Sequence, residues 1–493
     1  MTEPAVLFAW CATLLIFVPL LAALAVYLVP GRRFGGALCL LVALGLFVPL
    51  VLASHALADA GALHFAFGGH TAPLGIELFA DGLALAMLWL TNVLLLAVHC
   101  YTNSWLRQAP AFRATEFRAL VLLLWSGLNG LFLSADLFNL YVMLEIVTLT
   151  AVPLVVFSRG PVALAAAMRY LLFALAGSIF YLLGVALIYA ETGLLALRTL
   201  SPEALMGPAA VTALAVMTAG LAMKAALFPV HAWLPKAHAV APSPASALLS
   251  ALVAKAGAYL LVRLWLGPFA TIDSAILLQG LAAVGVAGIL YGSLQALRQS
   301  RLKGVVAYST VAQLGYFLLL LPLASLVAWQ GVIYHALTHG LAKTAMFLAA
   351  GNLIRQAGSD QLDRLAGADR FLGGSLMAIA LAGVSLAGLP PTGGFIGKWW
   401  LVAASLEAGQ WWWALSIGAG GLLAAGYVFR VLRHAMQEPS EPTPVPDHER
   451  VTPTMIWVPV ALALASIGLG FTGDLLAPWL AIGAPFADTG GTP

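Results

Sequence analysis

The chain is long, strongly apolar and poor in charge. It has 493 residues, of which 62% are hydrophobic and 9% are charged, whereas soluble domains carry roughly 25% charged residues. So few charges cannot cover the surface of a water-soluble fold, and a net charge of +3 is too small to indicate a nucleic-acid partner. Because apolar segments follow one another along the whole chain, the sequence predicts an all-α polytopic membrane protein in a lipid bilayer.

Fourteen apolar stretches are each long enough to cross the bilayer as a helix, which takes roughly 20 apolar residues. We number them as predicted spans 1 to 14, with approximate bounds 5–29, 35–53, 80–101, 117–134, 136–157, 163–190, 209–238, 243–266, 275–297, 303–322, 325–354, 371–406, 410–435 and 455–472. The loop at about 54–79 alternates in polarity, which predicts a small external hairpin with its turn at Gly68 and Gly69.

The basic residues support this division of the chain. Those in or beside the odd-numbered loops are Arg32, Arg33, Arg107, Arg113, Arg118, Arg159, Arg169, Lys236, Arg298, Arg301, Lys303, Arg355, Arg364, Arg370, Arg430, Arg433 and Arg450. The even-numbered loops hold only Arg198 and Arg263. Since cytoplasmic loops carry an excess of Lys and Arg, the odd loops are predicted to be cytoplasmic and both termini external.

Five charged residues fall inside apolar stretches, where a charge is costly. They are Glu145 in span 5, Lys224 in span 7, Lys255 in span 8, Lys343 in span 11 and Lys398 in span 12. Glu145 lies some nine residues from either end of its span, or about 13 Å from water at 1.5 Å per residue. A charge at the bilayer centre costs at least about 2.5–3.5 kcal/mol. These residues are therefore expected to face one another or a wet interior.

Two interpretations of these charges remain open. They could be ion pairs that hold helices together, or they could form a relay for protons. Four cations accompany one anion, so pairing cannot satisfy all of them. A desolvated, unpaired lysine can exchange its proton near neutral pH. The spread of the charges over five spans also favours a relay.

Predicted span 11 carries His335, His339 and Lys343 at intervals of four residues, which places all three on one helix face. Histidine changes charge near physiological pH, which suits a proton shuttle. A hydrogen-bonded core residue is the ordinary interpretation of one such histidine, and a metal ligand is another. Neither cysteine nor carboxylate accompanies the two histidines on this helix, so no metal site is predicted.

Predicted spans 7 and 12 are too long for straight helices, and both contain helix breakers. In span 7, Pro229 and Pro235 follow a buried lysine, and in span 12 Pro390 and Pro391 precede one. Irregular backbone at membrane depth is tolerated only against protein or a wet cavity. Each break therefore predicts a hydrated pocket with a lysine beside it. A kink required only for helix packing is the alternative.

The two broken spans are five spans apart, so they run in opposite directions through the membrane. Spans 4–8 and 9–13 are therefore predicted to form two inverted five-helix repeats, a common transporter architecture. The predicted units are 1–116 (spans 1–3 with the external loop), 117–266 (first repeat), 267–436 (second repeat) and 437–493 (a cytoplasmic Pro- and Glu-rich loop with span 14). The depths of the charges predict a path from the cytoplasm through Lys224 and Lys255, then span 11, and outward past Lys398.

Three long motifs resemble one family. The segment 136–145, DLFNLYVMLE, resembles the span 5 signature of Mrp-type cation/proton antiporter subunits, and the segment 224–250, which begins KAALFPVHAWLPKAH, resembles their span 7–8 signature. The segment 388–398, GLPPTGGFIGK, matches their span 12. The superfamily includes the antiporter-like membrane subunits of respiratory complex I and of membrane-bound hydrogenases. The span 5 motif and Lys398 are most similar to the D subunit of Mrp complexes.

The resemblance implies a proton-translocating subunit without redox cofactors, located in the bacterial inner membrane and assembled with other membrane subunits. It implies that Glu145 and Lys224 form an ion pair whose opening gates proton movement. It also implies that Lys255 is the central carrier, and that span 11 and Lys398 continue the path.

Several functions remain open. The leading hypothesis is a subunit of an Mrp-like antiporter that exchanges protons for a monovalent cation, most simply Na⁺. The alternative is a proton-pumping subunit of a complex I-like or hydrogenase-like redox complex. The retained charges argue against a scaffold that conducts nothing, and no motif indicates a carrier of organic solutes. Asp81 and Asp136 are predicted to be isolated acids rather than part of a Na⁺ site, so partner subunits are expected to handle the cation.

Overall fold

The structure of the protein, a computed structural model, describes residues 3–70, 75–107, 109–200, 205, 207–272, 274–438 and 451–486. It is almost entirely helical, as predicted. The N-terminal part consists of α1 (Glu3–Leu28), α2 (Arg32–Gly45), α3 (Phe47–Ala60), β1 (Leu63–Ala66), β2 (Glu77–Ala80) and α4 (Gly82–Trp105). Most of the Pro- and Glu-rich loop and the C-terminal residues of the predicted unit 437–493 lie outside the described residues.

The middle of the chain carries most of the interrupted helices. Its elements are α5 (Ala111–Leu133), α6 (Leu137–Val156), α7 (Pro161–Thr192), α8 (Pro208–Lys224), α9 (Trp233–Val240), α10 (Ser243–Leu248), a π-helical turn (Leu249–Val253) and α11 (Ala254–Trp265). After them follow α12 (Ala275–Arg298), α13 (Leu302–Leu314), a 3₁₀ turn (Gly315–Leu319), α14 (Leu320–Leu323) and α15 (Leu326–Ala357).

The C-terminal part contains the second broken helix. Its elements are a 3₁₀ turn (Leu362–Leu365), α16 (Ala368–Ala387), α17 (Gly393–Glu407), α18 (Trp411–Ala435), α19 (Pro453–Gly468), a 3₁₀ turn (Leu469–Phe471) and α20 (Gly473–Ala481). The long helix α15 packs against α16, α17 and α19 on one side and against α4 and α10 on others. It therefore runs through the interior of the bundle.

Eleven helical segments of the described chain are long and apolar enough to cross a membrane, and the bent pair Leu362–Arg370 with Leu372–Ala387 makes twelve if it is counted as one span. Predicted spans 7, 11 and 12 do not reach that standard alone. Spans 7 and 12 are broken, whereas span 11 is one continuous helix whose polar side chains lower its mean hydropathy. The count of fourteen spans and the inverted repeats stay predictions, but the chain is a multi-pass membrane protein.

The outside of the bundle is apolar. Large side chains such as Val162, Ile276 and Leu422 are 72%, 85% and 78% exposed. Such a surface requires a lipid or protein neighbour, because soluble proteins rarely expose large continuous apolar patches.

The predicted hairpin is present, although the helix before it is longer than predicted, and its external location stays a prediction. β1 and β2 pair antiparallel, with Leu63 opposite Ala80, and Gly68 and Gly69 lie between the strands with φ of 72° and 78°. The predicted loop start at Ser54 is wrong, since α3 continues to Ala60. The Ser54 hydroxyl donates to the Leu50 carbonyl oxygen at 2.8 Å, which satisfies this polar side chain within the helix.

Candidate functional site

Glu145 and Lys224 form an ion pair where α6, α7 and α8 meet. Lys224 Nζ lies 3.0 Å from Glu145 Oε1 and 3.1 Å from the Thr148 hydroxyl, and Ser178 of α7 donates to the same carboxylate oxygen. The lysine side chain is 5% exposed and the glutamate side chain 17% exposed. The pair that the family resemblance implied is therefore present, and it is mostly shielded from the surroundings.

Close packing of two glycines brings α7 against α8 at this point. A Cβ atom on Gly220 would lie 2.4 Å from the carbonyl oxygen of Gly177, which no real side chain tolerates. Small residues of this kind let helix backbones approach closely in membranes. The contact places Ser178 and Lys224 within reach of the same carboxylate.

The helix is interrupted directly after Lys224, which is the last residue of α8. Ala226 has φ of 51°, and the peptide bond between Phe228 and Pro229 is cis. Pro229 lies within the break, but Pro235 is the third residue of α9, where a missing N–H is tolerated. Pro235 therefore belongs to the helix that follows the break rather than to the break itself.

Lys255 lies two residues after the π-helical turn Leu249–Val253 and is fully buried. Its Nζ donates to the Ala251 carbonyl oxygen at 2.7 Å and lies 3.5 Å from that of Ser250. π-Turns occur inside helices mainly at functional sites. Neutral carbonyl oxygens, rather than a carboxylate, hold this ammonium group.

Hydroxyl groups of α13 connect the surroundings of Lys255 with Lys343. The Ser250 and Thr310 hydroxyl oxygens are 2.7 Å apart, and Thr310 donates to the Val306 carbonyl oxygen at 3.2 Å. Lys343 Nζ donates to that same carbonyl oxygen and to the Ser309 hydroxyl. Lys255 contacts the backbone carbonyl oxygen of Ser250, and the hydroxyl of the same residue begins the set of hydrogen bonds that reaches the environment of Lys343.

Aromatic rings and histidines continue this series toward Lys398. The rings of His339 and His335 are 5.8 Å apart, and that of His335 is 5.0 Å from Tyr316. Lys398 Nζ lies 5.0 Å from the Tyr316 ring centre. We call the set Lys255, Ser250, Thr310, Lys343, His339, His335, Tyr316 and Lys398 the polar row.

The break in the second broken helix determines the environment of Lys398. Pro390 and Pro391, joined by a cis peptide bond, both lie between α16 and α17. Lys398 Nζ folds back from α17 to donate to the carbonyl oxygens of Leu386 and Ala387, at 2.6 and 3.3 Å. It therefore occupies the carbonyl end of α16, where the helix dipole favours a cation.

The two histidines of α15 have different surroundings. His335 Nε2 lies 3.1 Å from the Gln313 carbonyl oxygen. Both ring nitrogens of His339 are buried with no hydrogen-bond partner among the described residues. Both ring nitrogens of His238 in α9 likewise have no hydrogen-bond partner among these residues, and its ring stacks on Phe347 with ring centres 4.6 Å apart. Such buried, unpartnered nitrogens require an explanation, because polar groups in a core are normally hydrogen-bonded.

Several members of this site are not predicted from the sequence. The sequence patterns single out neither Thr310 nor Tyr316, and Ser250 and His238 are visible only within a longer motif. Thr310, Gln313 and Tyr316 recur at intervals of three in an apolar helix. That spacing is the signal that could have identified α13 and the 3₁₀ turn after it as the connecting segment.

The prediction of Asp81 as an isolated acid is wrong. It is fully buried, accepts a hydrogen bond from the Ala84 backbone at 2.8 Å as the N-cap of α4, and pairs through both oxygens with Arg263 of α11. A second pair joins Glu77 and Arg198 at 3.2 Å. The sequence did not suggest these pairs because their partners are more than 100 residues apart.

Comparison with known proteins places these motifs in a family. Residues 134–423 match the family described as NADH:quinone oxidoreductase/Mrp antiporter, TM. The chain is 38% identical to the NADH-quinone oxidoreductase subunit N of Desulforudis audaxviator over 78% of its length and 79% of that protein. It is 28% identical to the D subunit of the Na(+)/H(+) antiporter of Bacillus subtilis, over 84% of the length of each chain.

The fold has a close counterpart among solved structures. A chain of the Mrp complex from Dietzia sp. DQ12-45-1b superposes with a TM-score of 0.89 at 26% identity, covering 99% of both chains. The chain is thus an antiporter-like membrane subunit, and it belongs to the NADH:quinone oxidoreductase/Mrp antiporter transmembrane family.

Proposed function

We propose that this chain is the proton-translocating subunit of a multi-subunit Mrp-like antiporter that exchanges protons for Na⁺. The polar row is the observation that carries the proposal. Its three buried lysines and two buried histidines would be unfavourable as packing elements, and hydroxyl groups, carbonyl oxygens and aromatic rings lie beside this row from Lys255 to Lys398. Groups that can gain and lose a proton, placed at such spacing, are what a proton path requires.

Each group has a role that follows from its contacts. Opening of the Glu145–Lys224 pair frees an ammonium group at the helix break. Lys255 and Lys343 then exchange protons through the Ser250 and Thr310 hydroxyls and water. His339 and His335 continue the path to Lys398, whose ammonium lies at the end of the broken helix. In each step one amine or imidazole loses a proton and the next gains it.

Other membrane subunits of the same complex are the expected partners. The proposed site is the bacterial inner membrane, with both termini external as the arginine and lysine distribution indicates. We propose that Na⁺ crosses through a partner, because the described acids Asp81 and Glu77 are paired with arginines.

A proton-pumping subunit of a redox complex is the second candidate. The 38% identity to an NADH-quinone oxidoreductase subunit N supports it. Coverage of 99% of both chains in the superposition on the Mrp complex supports the antiporter. The polar row serves either function, so the partner subunits and the driving force distinguish them.

Purification of the native complex through a tag on this chain, followed by identification of its subunits, tests the choice directly. Everted membrane vesicles that hold the complex should release an imposed pH gradient when NaCl is added, and the Glu145→Gln complex should not. Co-purified flavin or iron–sulfur subunits, with acidification driven by a reductant and no response to Na⁺, would establish the redox alternative.

A further inference from the structure

We propose that an outlet for protons leads from Lys255 along α11 to the membrane face at Arg263, and that the indole of Trp329 closes it in this conformation. The identity of the ion rests on the proposed function, whereas the passage itself rests on two cavities and their shared wall. This outlet lies apart from the break beside Lys398.

One face of α11 is polar from the centre of the protein to its end. Lys255, Tyr259 and Arg263 are four residues apart, so they share this face. The Tyr259 hydroxyl donates to the Phe132 carbonyl oxygen at 2.6 Å, and Arg263 Nε donates to the Tyr259 oxygen at 3.0 Å. These bonds hold the face in one orientation.

An outer cavity of about 330 Å³ lies at the Arg263 end of this face. Arg263, Val262, Trp329, Arg198 and Gly483 are among the residues that line it. The two arginines are the ones that the sequence assigns to even-numbered loops, which are predicted to be external. Ion pairs with Asp81 and Glu77 make this end of the cavity polar, so it suits water.

An inner cavity of about 10 Å³ lies between the outer cavity and Lys255. Lys255, Tyr259 and Ala336 contribute to its lining, and Val262 and Trp329 line both cavities. These last two residues therefore form the wall that separates them. The remaining lining residues of the inner cavity are Leu83, Met87, Phe317, Leu320, Val332 and Ile333, which are all apolar.

The apolar inner cavity interrupts any line of water from Lys255. A cavity needs polar partners and at least about 10–15 Å³ to hold a water molecule, and apolar constrictions close pores by excluding water. In this conformation, protons on Lys255 are therefore isolated from the outer cavity. Such isolation prevents a leak through the subunit.

Trp329 is held in its closed position by the C-terminal segment. Its indole Nε1 donates to the Leu480 carbonyl oxygen at 2.9 Å, and the neighbouring Gln330 amide donates to that of Ala477 at 2.9 Å. Both acceptors belong to α20, which packs against the first turn of α15. A shift of α20 or of the start of α15 would release the indole and join the cavities.

When the passage is open, Lys255 releases its proton to water in the widened inner cavity. The ammonium becomes a neutral amine, and the proton leaves through water in the outer cavity.

Thiol accessibility tests the passage without relying on transport. The assembled complex, with Cys11, Cys39 and Cys100 replaced by alanine, is reconstituted in vesicles with Ala336→Cys, a buried position in the inner cavity. A membrane-impermeant, positively charged methanethiosulfonate reagent is added to one side at a time. Ala345→Cys is the matched control, since Ala345 is equally buried on α15 and lines neither cavity.

With Trp329→Ala, the thiol at position 336 should react at least about tenfold faster than with Trp329 intact, since a wall that excludes water also excludes the reagent. This increase in reaction rate should occur only when the reagent is added on the side of the membrane where Arg263 lies. The reaction rate of the control thiol at position 345 should not change. Val262→Ala, which alters the other half of the wall, gives the same test if Trp329→Ala does not assemble.

Equal reaction rates with and without the wall residue would overturn the proposal, and so would an increase confined to the opposite side. Failure of the proposed function is a different result. A complex that moves no protons with every residue intact would refute the function, while the labelling rates would still decide whether the passage exists.

Discussion

The hydroxyl oxygens of Ser250 and Thr310 lie 2.7 Å apart, and they join the helix segment that carries Lys255 to the helix that holds Lys343. Thr310→Val should slow proton transport about 5- to 10-fold, the effect of losing a hydrogen bond of roughly 1 kcal/mol. Proton uptake by reconstituted vesicles measures this. Thr344→Val is the control, because the buried Thr344 hydroxyl bonds only to its own helix at Gly340. Equal loss in both variants would contradict a specific role.

The Glu145–Lys224 pair should be required for transport rather than for assembly. Glu145→Ala and Lys224→Ala should each reduce proton transport at least about 100-fold, the typical contribution of a positioned proton donor or acceptor. Co-purification of partner subunits should remain unchanged. Asp360→Asn provides the comparison, since it removes an ion pair with Arg301 that lies outside the polar row and lines neither cavity of the proposed outlet. Normal transport in both alanine variants would refute the relay.

His339 should influence the pH dependence of transport. Its ring nitrogens are buried without a partner in the described chain, and an imidazole can accept a proton at one nitrogen and release one from the other. His339→Ala should therefore slow proton movement and change its pH profile. His99→Ala removes a buried histidine of α4 that lies against Trp125, outside the polar row. An unchanged profile in His339→Ala would favour a histidine that serves only the core.

Gly388 allows Lys398 to reach the end of α16. It has φ of 81°, and a Cβ atom there would lie 2.8 Å from Lys398 Cδ. Gly388→Ala should destabilise the protein by about 1 kcal/mol or more, because alanine is strained at positive φ, and should slow transport by displacing the lysine. Gly373→Ala is the control, since its Cβ meets nothing within 4 Å. Thermal unfolding and proton uptake are measured on both variants, and only Gly388→Ala should lower the unfolding temperature and slow proton uptake.

The predicted orientation can be tested at two exposed loop positions. Ser158 follows α6 in an odd-numbered loop, and Ala270 follows α11 in an even-numbered loop. The test uses intact cells that produce the chain without its three native cysteines. A membrane-impermeant thiol reagent should modify Ala270→Cys in these cells and leave Ser158→Cys unmodified until the membrane is permeabilised. The reverse pattern would invert the topology derived from the positive residues.

Local sequence patterns predicted the parts of the fold that depend on neighbouring residues. Apolar length and proline positions predicted the helices and the breaks at Pro229 and Pro390, because backbone geometry depends on local chemistry. The four-residue spacing in α15 predicted the common face of His335 and Lys343. The end of α3 was misplaced because Ser54 was treated as a loop residue, although its hydroxyl is satisfied inside the helix.

Contacts between distant segments could not be predicted in this way. Asp81 meets Arg263, and Ser250 meets Thr310, only after the bundle has assembled. The pairing of Glu145 with Lys224 was anticipated from a family resemblance, not from spacing. A single sequence shows which groups need partners, but tertiary packing decides which partners they find.

The helix α15 is uninterrupted from Leu326 to Ala357, in contrast to its broken neighbours. Trp329 lies in its first turn, and His335, His339 and Lys343 follow at successive turns. A rigid translation of this helix would move the indole, both imidazoles and the amine together by the same amount. Opening the outlet at Trp329 would thereby also shift His335, His339 and Lys343. The outlet and the polar row would be coupled mechanically through α15.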